Sequence, residues 1–339
     1  MSALWLLPAA AFLSFCLTWL VRRYALSRRL IDLPGERSSH RTATTRGGGL
    51  AIVLTFLCGL PILYAAGLVP SSVLVAICGG GGLVALIGFA DDHRPVPVYL
   101  RLLSHFLGAA WALYWLGGVP SITGFASIPA WVLTGLAAFW MVWLVNLYNF
   151  MDGIDGIASI EAITVCFGAA LLTFILLPAS DLWLEPALLL ASVAGFLYWN
   201  YPPARIFMGD AGSGFLGFVL AVFCVQAAWV AAGAFWAWII LLGVFVVDAS
   251  VTLVRRMLRG QKLHEAHRSH GYQYASRKHG AHERVSLAVG AINLVWLLPL
   301  ALLVASANLD WKIGLAIAYA PLFWLAYRYK SGASETQEV

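Results

Sequence analysis

Residues 73–95 read VLVAICGGGGLVALIGFADDHRP, an apolar run that ends in two aspartates. A run of about 18 apolar residues is long enough for a helix to cross the hydrocarbon core of a bilayer. Ten further apolar runs occur at about 3–21, 48–66, 102–118, 129–147, 158–177, 186–200, 214–231, 235–254, 285–305 and 311–327. The pattern predicts an all-α integral membrane protein, a polytopic bundle of 10–11 transmembrane helices.

The composition supports the same class. The 339 residues are 61% hydrophobic and 11% charged, and the mean hydropathy is +0.83. Soluble domains carry about 25% charged residues, so a water-soluble fold and a disordered chain are both excluded. We expect one membrane-embedded domain over 1–339, with a motif-bearing core at 32–284, C-terminal helices at 285–327 and a short tail at 328–339.

The basic residues predict an orientation. With the amino terminus outside, 20 of the 21 Lys and Arg residues fall in inner segments, and Lys312 is the exception. Cytoplasmic loops carry an excess of Lys and Arg. The count therefore predicts an amino terminus outside and a carboxyl terminus inside, with any chemistry located in the inner loops.

Asp91 and Asp92 stand side by side at the inner end of the third run. Carboxylates near lipid are unfavourable, and two adjacent ones also repel each other, so a positive group is expected beside them. The alternative is a solvated helix end paired with Arg94.

A second polar cluster follows the fifth run, where Asn146, Asn149, Asp152 and Asp155 recur every three residues. This spacing puts neighbouring side chains on one side of a helix. The glycine after each aspartate lowers helix propensity, so the cluster is expected to open into a loop that binds a ligand. A simple helix cap is the alternative, although a cap needs only one such residue.

Two further inner loops are polar. Small residues around Asp210 would let backbone amides approach an anion at a helix start, and an ordinary Asp/Gly turn is the alternative. The loop at 255–284 is basic and rich in histidine, which also suits attraction to anionic lipid headgroups.

Five carboxylates and one amide thus fall on the predicted inner face: Asp91, Asp92, Asn149, Asp152, Asp155 and Asp210. Hard oxygen donors of this kind suit Mg²⁺, which also takes substrate phosphates as ligands. The pattern indicates diphosphate chemistry at a membrane surface. A transporter is disfavoured because the runs themselves are almost free of charge.

Taken together in chain order, these polar motifs resemble those of the polyprenyl-phosphate N-acetylhexosamine-1-phosphate transferases, the superfamily that includes the phospho-MurNAc-pentapeptide translocases. The resemblance covers 32–284, and the form of 264–268, His-Glu-Ala-His-Arg, is similar to the O-antigen-initiating branch of glycosyltransferase 4 type. It implies transfer of a GlcNAc or 6-deoxy-HexNAc 1-phosphate from a UDP-sugar to undecaprenyl phosphate, with release of UMP. A phospho-MurNAc-pentapeptide transferase is the alternative, and a lipid-linked sugar flippase is the alternative of a different class.

The resemblance also implies roles for individual residues. Asn149 and Asp210 would bind Mg²⁺, with Mn²⁺ as an alternative ion. Catalytic roles fall to Asp91, Asp92, Asp152, His267 and Arg268. Substrate-binding roles fall to Asp155 at the uracil and to Asn146, Arg46, Arg205, His264 and His270. The family's usual His-x-His-His reads His-Arg-Ser-His here, at 267–270.

The implied partners are undecaprenyl phosphate, a UDP-N-acetylhexosamine and membrane lipid, without nucleic acid and with a homodimer as an open alternative. The implied location is the bacterial inner membrane, with the active site on the cytoplasmic face.

Overall fold

The computed structural model describes residues 3–33, 35, 42–121, 127–261 and 267–333. This part of the chain is predominantly helical, with only two strands of two residues each, which confirms the predicted class. The first helices are α1 (Leu6–Ser27), α2 (Leu50–Ala65), α3 (Ser71–Val75), α4 (Gly82–His93), α5 (Val98–Leu116), α6 (Ala130–Met151), α7 (Ile157–Leu176) and α8 (Leu184–Asn200). The remainder are α9 (Asp210–Val230), α10 (Ala232–Leu241), α11 (Gly243–Leu258), α12 (Gly271–His279), α13 (His282–Ile292), α14 (Leu298–Ala305) and α15 (Trp311–Arg328). Two π-helical segments, Ala76–Gly81 and Asn293–Leu297, join α3 to α4 and α13 to α14.

Each apolar run falls on a helix or on joined helices. Six of these are long and apolar enough to cross a membrane: Leu6–Ser27, Ser71–His93, Ala130–Met151, Ile157–Leu176, Asp210–Val230 and His282–Ala305. The pair α10 and α11, bent by 66°, would make a seventh. Among the other runs, α2 and α8 have only 16 and 17 residues. The predicted count of 10–11 crossings, the orientation of the termini and the single domain therefore stay predictions.

Helix α9 lies at the centre of the bundle, where it packs against α4 and α6. Every residue at 211–225 is buried. A helix that is apolar all round is stable only when other elements cover it on every side. Its first residue, Asp210, consequently lies at one end of the bundle core.

Gly88 brings the end of α4 against the start of α9. A Cβ at Gly88 would lie 2.5 Å from the carbonyl oxygen of Asp210, so only glycine fits. The aspartates at the end of α4 therefore lie beside the first turn of α9.

A short sheet, which the sequence did not predict, closes the same end of the bundle. Strands β1 (Ile31–Asp32) and β2 (Thr44–Thr45) pair antiparallel, and Thr45 also bridges to Ile206 in parallel. The backbone N–H of Gly48 donates to the Phe207 carbonyl at 2.9 Å. The segment before α2 is thus held alongside the segment before α9.

Candidate functional site

A polar cavity of about 220 Å³ lies where α6 ends and α9 begins. Its lining side chains are those of Asp32, Arg46, Asp92, Asn149, Asp152, Ile154, Asp155, Asn200, Phe207, Asp210, Ser213, Gln273 and His282. The structure therefore brings together six residues assigned to the site from sequence, namely Arg46, Asp92, Asn149, Asp152, Asp155 and Asp210.

The Asp92 carboxylate caps α9. It is 3% exposed and accepts hydrogen bonds from the backbone N–H groups of Asp210 at 3.0 Å and Ala211 at 3.2 Å. A carboxylate stabilises the positive end of a helix dipole. The sequence predicted an anion at this helix start, and within the chain Asp92 occupies that position.

Arg101, in the first turn of α5, joins two carboxylates. Its Nη1 lies 2.7 Å from Oδ2 of Asp91 and 3.2 Å from Oδ2 of Asp210. The sequence predicted a positive group here and offered Arg94 as an alternative partner, but Arg94 is exposed. Arg101 therefore offsets part of the repulsion between the ends of α4 and α9.

Asn149, in the last turn of α6, faces Asp210. Its Nδ2 donates to Oδ1 of Asp210 at 2.7 Å and to Oγ of Ser213 at 3.2 Å. Since the amide nitrogen faces the carboxylate, a metal ion shared by Asn149 and Asp210 would have to replace this hydrogen bond with an Asn149 oxygen contact.

The Asp152 carboxylate has no hydrogen-bond or ion-pair partner in the described part of the chain, although it lines the polar cavity. Burial raises the pKa of its carboxyl well above the usual 3.8, and nearby Asp210, Asp92 and Asp155 raise it further. A cation bound beside these carboxylates would offset both the loss of hydration and the repulsion.

Asp155 holds the loop between α8 and α9. Its Oδ2 accepts from the backbone N–H of Ala204 at 3.0 Å, and its Oδ1 lies 3.2 Å from Nδ1 of His282. The uracil-binding role stays a prediction, and within the chain the carboxylate orders two neighbouring segments.

Arg46 binds the carbonyl end of α4. Its Nη2 donates to the backbone oxygens of Asp92 at 2.6 Å and Asp91 at 3.2 Å. Its Nε lies 4.0 Å from the Asp92 carboxylate. A cation at the carbonyl end of a helix is favourable, so Arg46 stabilises the same end that carries both aspartates.

Asp248, in α11, holds the start of α12. It accepts from the backbone N–H groups of Gly271 at 2.8 Å and Tyr272 at 2.9 Å. The Tyr272 hydroxyl in turn donates to the Phe150 carbonyl at 2.9 Å. Burial first, and then Asp248 and Asp152, raise the pKa of Tyr272, which keeps this hydroxyl protonated. Helix α12 is thereby fixed to the end of α6.

The predicted histidine loop is only partly near the cavity. His270 is 1% exposed and stacks on His267, with ring centroids 4.9 Å apart. Burial, followed by His270 and Arg256, lowers the pKa of His267 to about 3, so this ring is neutral at pH 7. His264 lies outside the described residues.

A second polar cavity, of about 570 Å³, adjoins the first. It is lined by Arg268 and by Thr42 and Arg277, and it shares Asp155 and His282 with the first cavity. Arg268 therefore lies near the carboxylates, whereas His270 does not line either cavity.

An apolar groove of about 380 Å³ runs between α4, α5 and α6. Arg101, His105 and Asn146 lie among its apolar walls, and Asn149 and Asp210 belong to both this groove and the 220 Å³ cavity. The groove thus opens directly onto the carboxylate cluster.

Besides His270, two predicted substrate residues in the described chain lie outside the 220 Å³ cavity. Asn146 lines the groove, and its Nδ2 donates to the Val142 carbonyl at 2.7 Å. The Arg205 guanidinium packs over the rings of Tyr198 at 5.0 Å and Trp199 at 5.6 Å. Arg205 is therefore directed to the aromatic end of α8.

The oxygen donors of the polar cavity fit the requirements of Mg²⁺. Among the described residues, no three Asp, Glu, His or Cys side chains already surround a common metal position. Mg²⁺ usually takes only one or two protein carboxylates and completes its shell with water and substrate phosphates. Asp210 with Asn149 beside it meets that smaller requirement, and the Asp152 carboxylate adds negative charge to the same cavity, so the residues present fit the ion.

Sequence reasoning missed several residues near the cluster. Arg101 and His105 lie four residues apart in the apolar helix α5. Two ionisable side chains on one face of an apolar helix indicate a functional site, so the sequence did contain a signal for these residues. His282 offered no comparable signal, because its contact with Asp155 joins distant parts of the chain.

Comparisons with known proteins give a consistent result. The model for glycosyl transferase family 4 matches residues 74–228. A probable undecaprenyl-phosphate N-acetylglucosaminyl 1-phosphate transferase of Bacillus subtilis (strain 168) is 28% identical over 263 residues, which cover 75% of this chain and 72% of that protein. A phospho-N-acetylmuramoyl-pentapeptide-transferase of Thermosynechococcus vestitus is 30% identical over 272 residues, covering 75% and 70%.

A decaprenyl-phosphate N-acetylglucosaminephosphotransferase of Mycobacterium leprae is 29% identical over 240 residues, or 65% of this chain and 60% of the relative. This chain therefore spans less than two thirds of the length of that mycobacterial protein.

Proposed function

Because this chain belongs to glycosyl transferase family 4, we propose that it transfers an N-acetylhexosamine 1-phosphate from a UDP-sugar to undecaprenyl phosphate and releases UMP. The sugar is N-acetylglucosamine or a 6-deoxy-N-acetylhexosamine, and the product initiates O-antigen or a related surface glycan. One observation carries the proposal: Asn149 and Asp210 line both the polar cavity and the apolar groove.

The groove suits a lipid phosphate. Its apolar walls would pack against a prenyl chain, which could pass from the bilayer into the groove without contact with water. At its polar end, Arg101 offers a guanidinium and His105 an imidazole to a phosphate. The two polar cavities, joined through Asp155 and His282, would hold the water-soluble nucleotide sugar.

The reaction exchanges one phosphoanhydride for another. An oxygen of the lipid phosphate attacks the phosphorus that carries the sugar, and the bond from that phosphorus to the bridging oxygen breaks. The bond's electron pair leaves with UMP, and a basic group accepts the last proton of the lipid phosphomonoester. The same bonds form and break overall whether the lipid phosphate attacks directly or a covalent aspartyl-phosphate intermediate forms first.

Charge repulsion between the two anionic substrates is the main barrier to their approach. When bound, Mg²⁺ supplies positive charge that stabilises the transferring phosphoryl group, and Asp210 with Asn149 would hold it, with Mn²⁺ as an alternative. Arg101 supplies fixed positive charge beside Asp210, and Arg46 does so beside Asp92.

The carboxylates divide into engaged and unengaged groups. Asp92 caps α9 and Asp91 binds Arg101, whereas Asp152 has no such partner in the described chain. We assign proton removal to the unengaged Asp152, phosphate orientation through Arg101 to Asp91, and the alignment of α9 to Asp92. His267 and Arg268 would act from the neighbouring loop, toward the diphosphate.

We place the protein in the bacterial inner membrane as a multi-pass enzyme, with the site on the cytoplasmic face, the amino terminus outside and the carboxyl terminus inside. The one-sided distribution of basic residues supports this orientation. A homodimer is the proposed assembly, and native mass spectrometry of the purified protein would test it.

UDP-MurNAc-pentapeptide is the second candidate donor, because a relative of similar identity is a phospho-N-acetylmuramoyl-pentapeptide-transferase. Purified protein with Mg²⁺ and undecaprenyl phosphate should release UMP with UDP-GlcNAc or a UDP-6-deoxy-HexNAc, and far less with UDP-MurNAc-pentapeptide. The reverse preference selects the second donor. If none of these donors leads to release of UMP, the transferase proposal is overturned. Movement of a lipid-linked sugar between leaflets would then favour a flippase.

A further inference from the structure

A fourth cavity, of about 350 Å³, lies on the other side of α11 from the groove. Helices α11, α12, α13 and α15 enclose it, and its volume is within the range of about 300–1,000 Å³ typical of ligand pockets. The walls along its length are aliphatic, from Val244, Val285, Ala288, Val289, Ile292, Leu322 and Leu325.

Polar residues of the lining meet near the junction of α12 and α13. His279, Arg284 and Tyr329 belong to its lining, and Nε2 of His279 lies 3.2 Å from the Tyr329 hydroxyl. Arg284 is exposed and makes no hydrogen bond or ion pair with any residue that the structure describes. Lys278 adds a second cation, with Nζ 5.9 Å from the Tyr329 ring centroid.

The acidic groups nearby are already engaged. Asp248 lines the cavity, but it accepts from the N–H groups of Gly271 and Tyr272 and from the Ser331 hydroxyl at 2.9 Å. Glu283 is turned to the Tyr201 hydroxyl, which donates to it at 2.6 Å. Among the described residues, neither carboxylate forms an ion pair with Arg284 or Lys278, so both cations remain available to an anionic headgroup.

We propose that this cavity binds an anionic glycerophospholipid of the surrounding membrane, with its phosphate at Arg284 and His279 and an acyl chain between α13 and α15. The distance from Arg284 to Ile292 along α13 is about 12 Å at 1.5 Å per residue, which suits a headgroup at one end and several methylenes behind it. Charge complementarity selects an anionic over a zwitterionic lipid. This site is separate from the groove proposed for undecaprenyl phosphate.

Occupancy of this cavity would act on α12. Tyr272 lines the cavity, and its hydroxyl holds the Phe150 carbonyl two residues before Asp152. An ordered acyl chain against α12 would therefore stabilise the contact that ends α6.

The test uses the full-length protein in nanodiscs of phosphatidylcholine mixed with phosphatidylglycerol. Native mass spectrometry after transfer to detergent measures the phosphatidylglycerol retained per chain. We expect Arg284→Gln to lower this retention about fivefold, the effect expected for one cation near a headgroup. Ala288→Phe, which fills the cavity, should lower it similarly, and Arg328→Gln is the matched control because Arg328 is exposed at the same end but outside the cavity lining.

Several results would overturn the proposal. These are equal retention by wild type and Arg284→Gln, an equal loss in Arg328→Gln, or equal retention of phosphatidylcholine. Displacement of phosphatidylglycerol by inorganic phosphate alone, or stoichiometrically by undecaprenyl phosphate, would assign the cavity to a different ligand. Thermal unfolding of each variant confirms that the fold is retained.

Discussion

The Asp92 carboxylate accepts a hydrogen bond from the backbone N–H of Asp210 at 3.0 Å, although the two residues lie 118 positions apart. This contact fixes the start of α9 against the end of α4. It also makes Asp92 a helix cap, although the resemblance by sequence implied a catalytic role for this residue.

We therefore predict that Asp92→Ala lowers the free energy of unfolding by about 0.5–2 kcal/mol, the usual effect of losing a cap. It should also lower UMP release strongly, because Asp210 would move. Asp310→Ala is the matched control, since Asp310 caps α15 through Lys312 and Ile313. Thermal unfolding and UMP assays on both variants check this, and activity equal to wild type in Asp92→Ala would contradict it.

The sequence predicted much of this fold because long apolar runs leave few alternatives to helices. It also predicted which acidic residues gather, since each follows an apolar run at the same face. It did not predict the partner of Asp91. Arg94 and Arg101 are both close in sequence, and only the direction that α5 takes after the prolines at 95 and 97 brings Arg101 to the carboxylate.

The position of Asp92 and the short sheet at 31–45 could not be predicted for a related reason. Both depend on contacts between distant segments, and local propensity and periodicity do not encode such contacts. The ends of α4 and α9 meet because Gly88 permits it. Glycine is frequent in membrane-spanning helices, so its presence at position 88 does not indicate which helix approaches it.

Arg101→Gln should lower kcat by about 10²-fold, the effect of removing one preorganised donor from developing charge. The carboxylates of Asp91 and Asp210 would also lose their shared cation. Arg94→Gln serves as control because Arg94 is exposed. UMP release measured across lipid concentrations separates kcat from KM, and an Arg101→Gln defect confined to KM would indicate binding of the lipid phosphate alone.

The Asp152 carboxyl predicts a pH dependence. Its folded-state pKa is raised, so the folded chain binds this proton more tightly than the unfolded chain. The resulting stability is complete below the ordinary pKa of 3.8 and is lost as the pH rises through the higher folded value. In EDTA, the Tm should therefore fall with rising pH in wild type and fall less in Asp152→Asn. Identical Tm profiles for the two proteins would contradict this.

Removal of Mg²⁺ should abolish UMP release, and adding back Mg²⁺ or Mn²⁺ should restore it. We further expect Mg²⁺ to raise the Tm of the wild type, because it neutralises the carboxylates around Asp210. Asp210→Ala should lose both responses, whereas Asp181→Ala, at an exposed position between α7 and α8, should keep both. A normal Mg²⁺-dependent Tm shift in Asp210→Ala would exclude Asp210 as a metal ligand.

Tyr272→Phe tests the link between α12 and the end of α6. The variant removes one hydroxyl donor and leaves the Phe150 carbonyl without it, which costs about 0.5–1.5 kcal/mol in stability. Because the segment that follows carries Asp152 and Asp155, we expect a several-fold loss of kcat. Tyr274→Phe is the control, since Tyr274 is on the same helix and its hydroxyl makes no hydrogen bond with any residue that the structure describes. A matching loss of kcat in both variants would show that α12 acts through general stability, whereas a loss confined to Tyr272→Phe would support a positioning role for its hydroxyl.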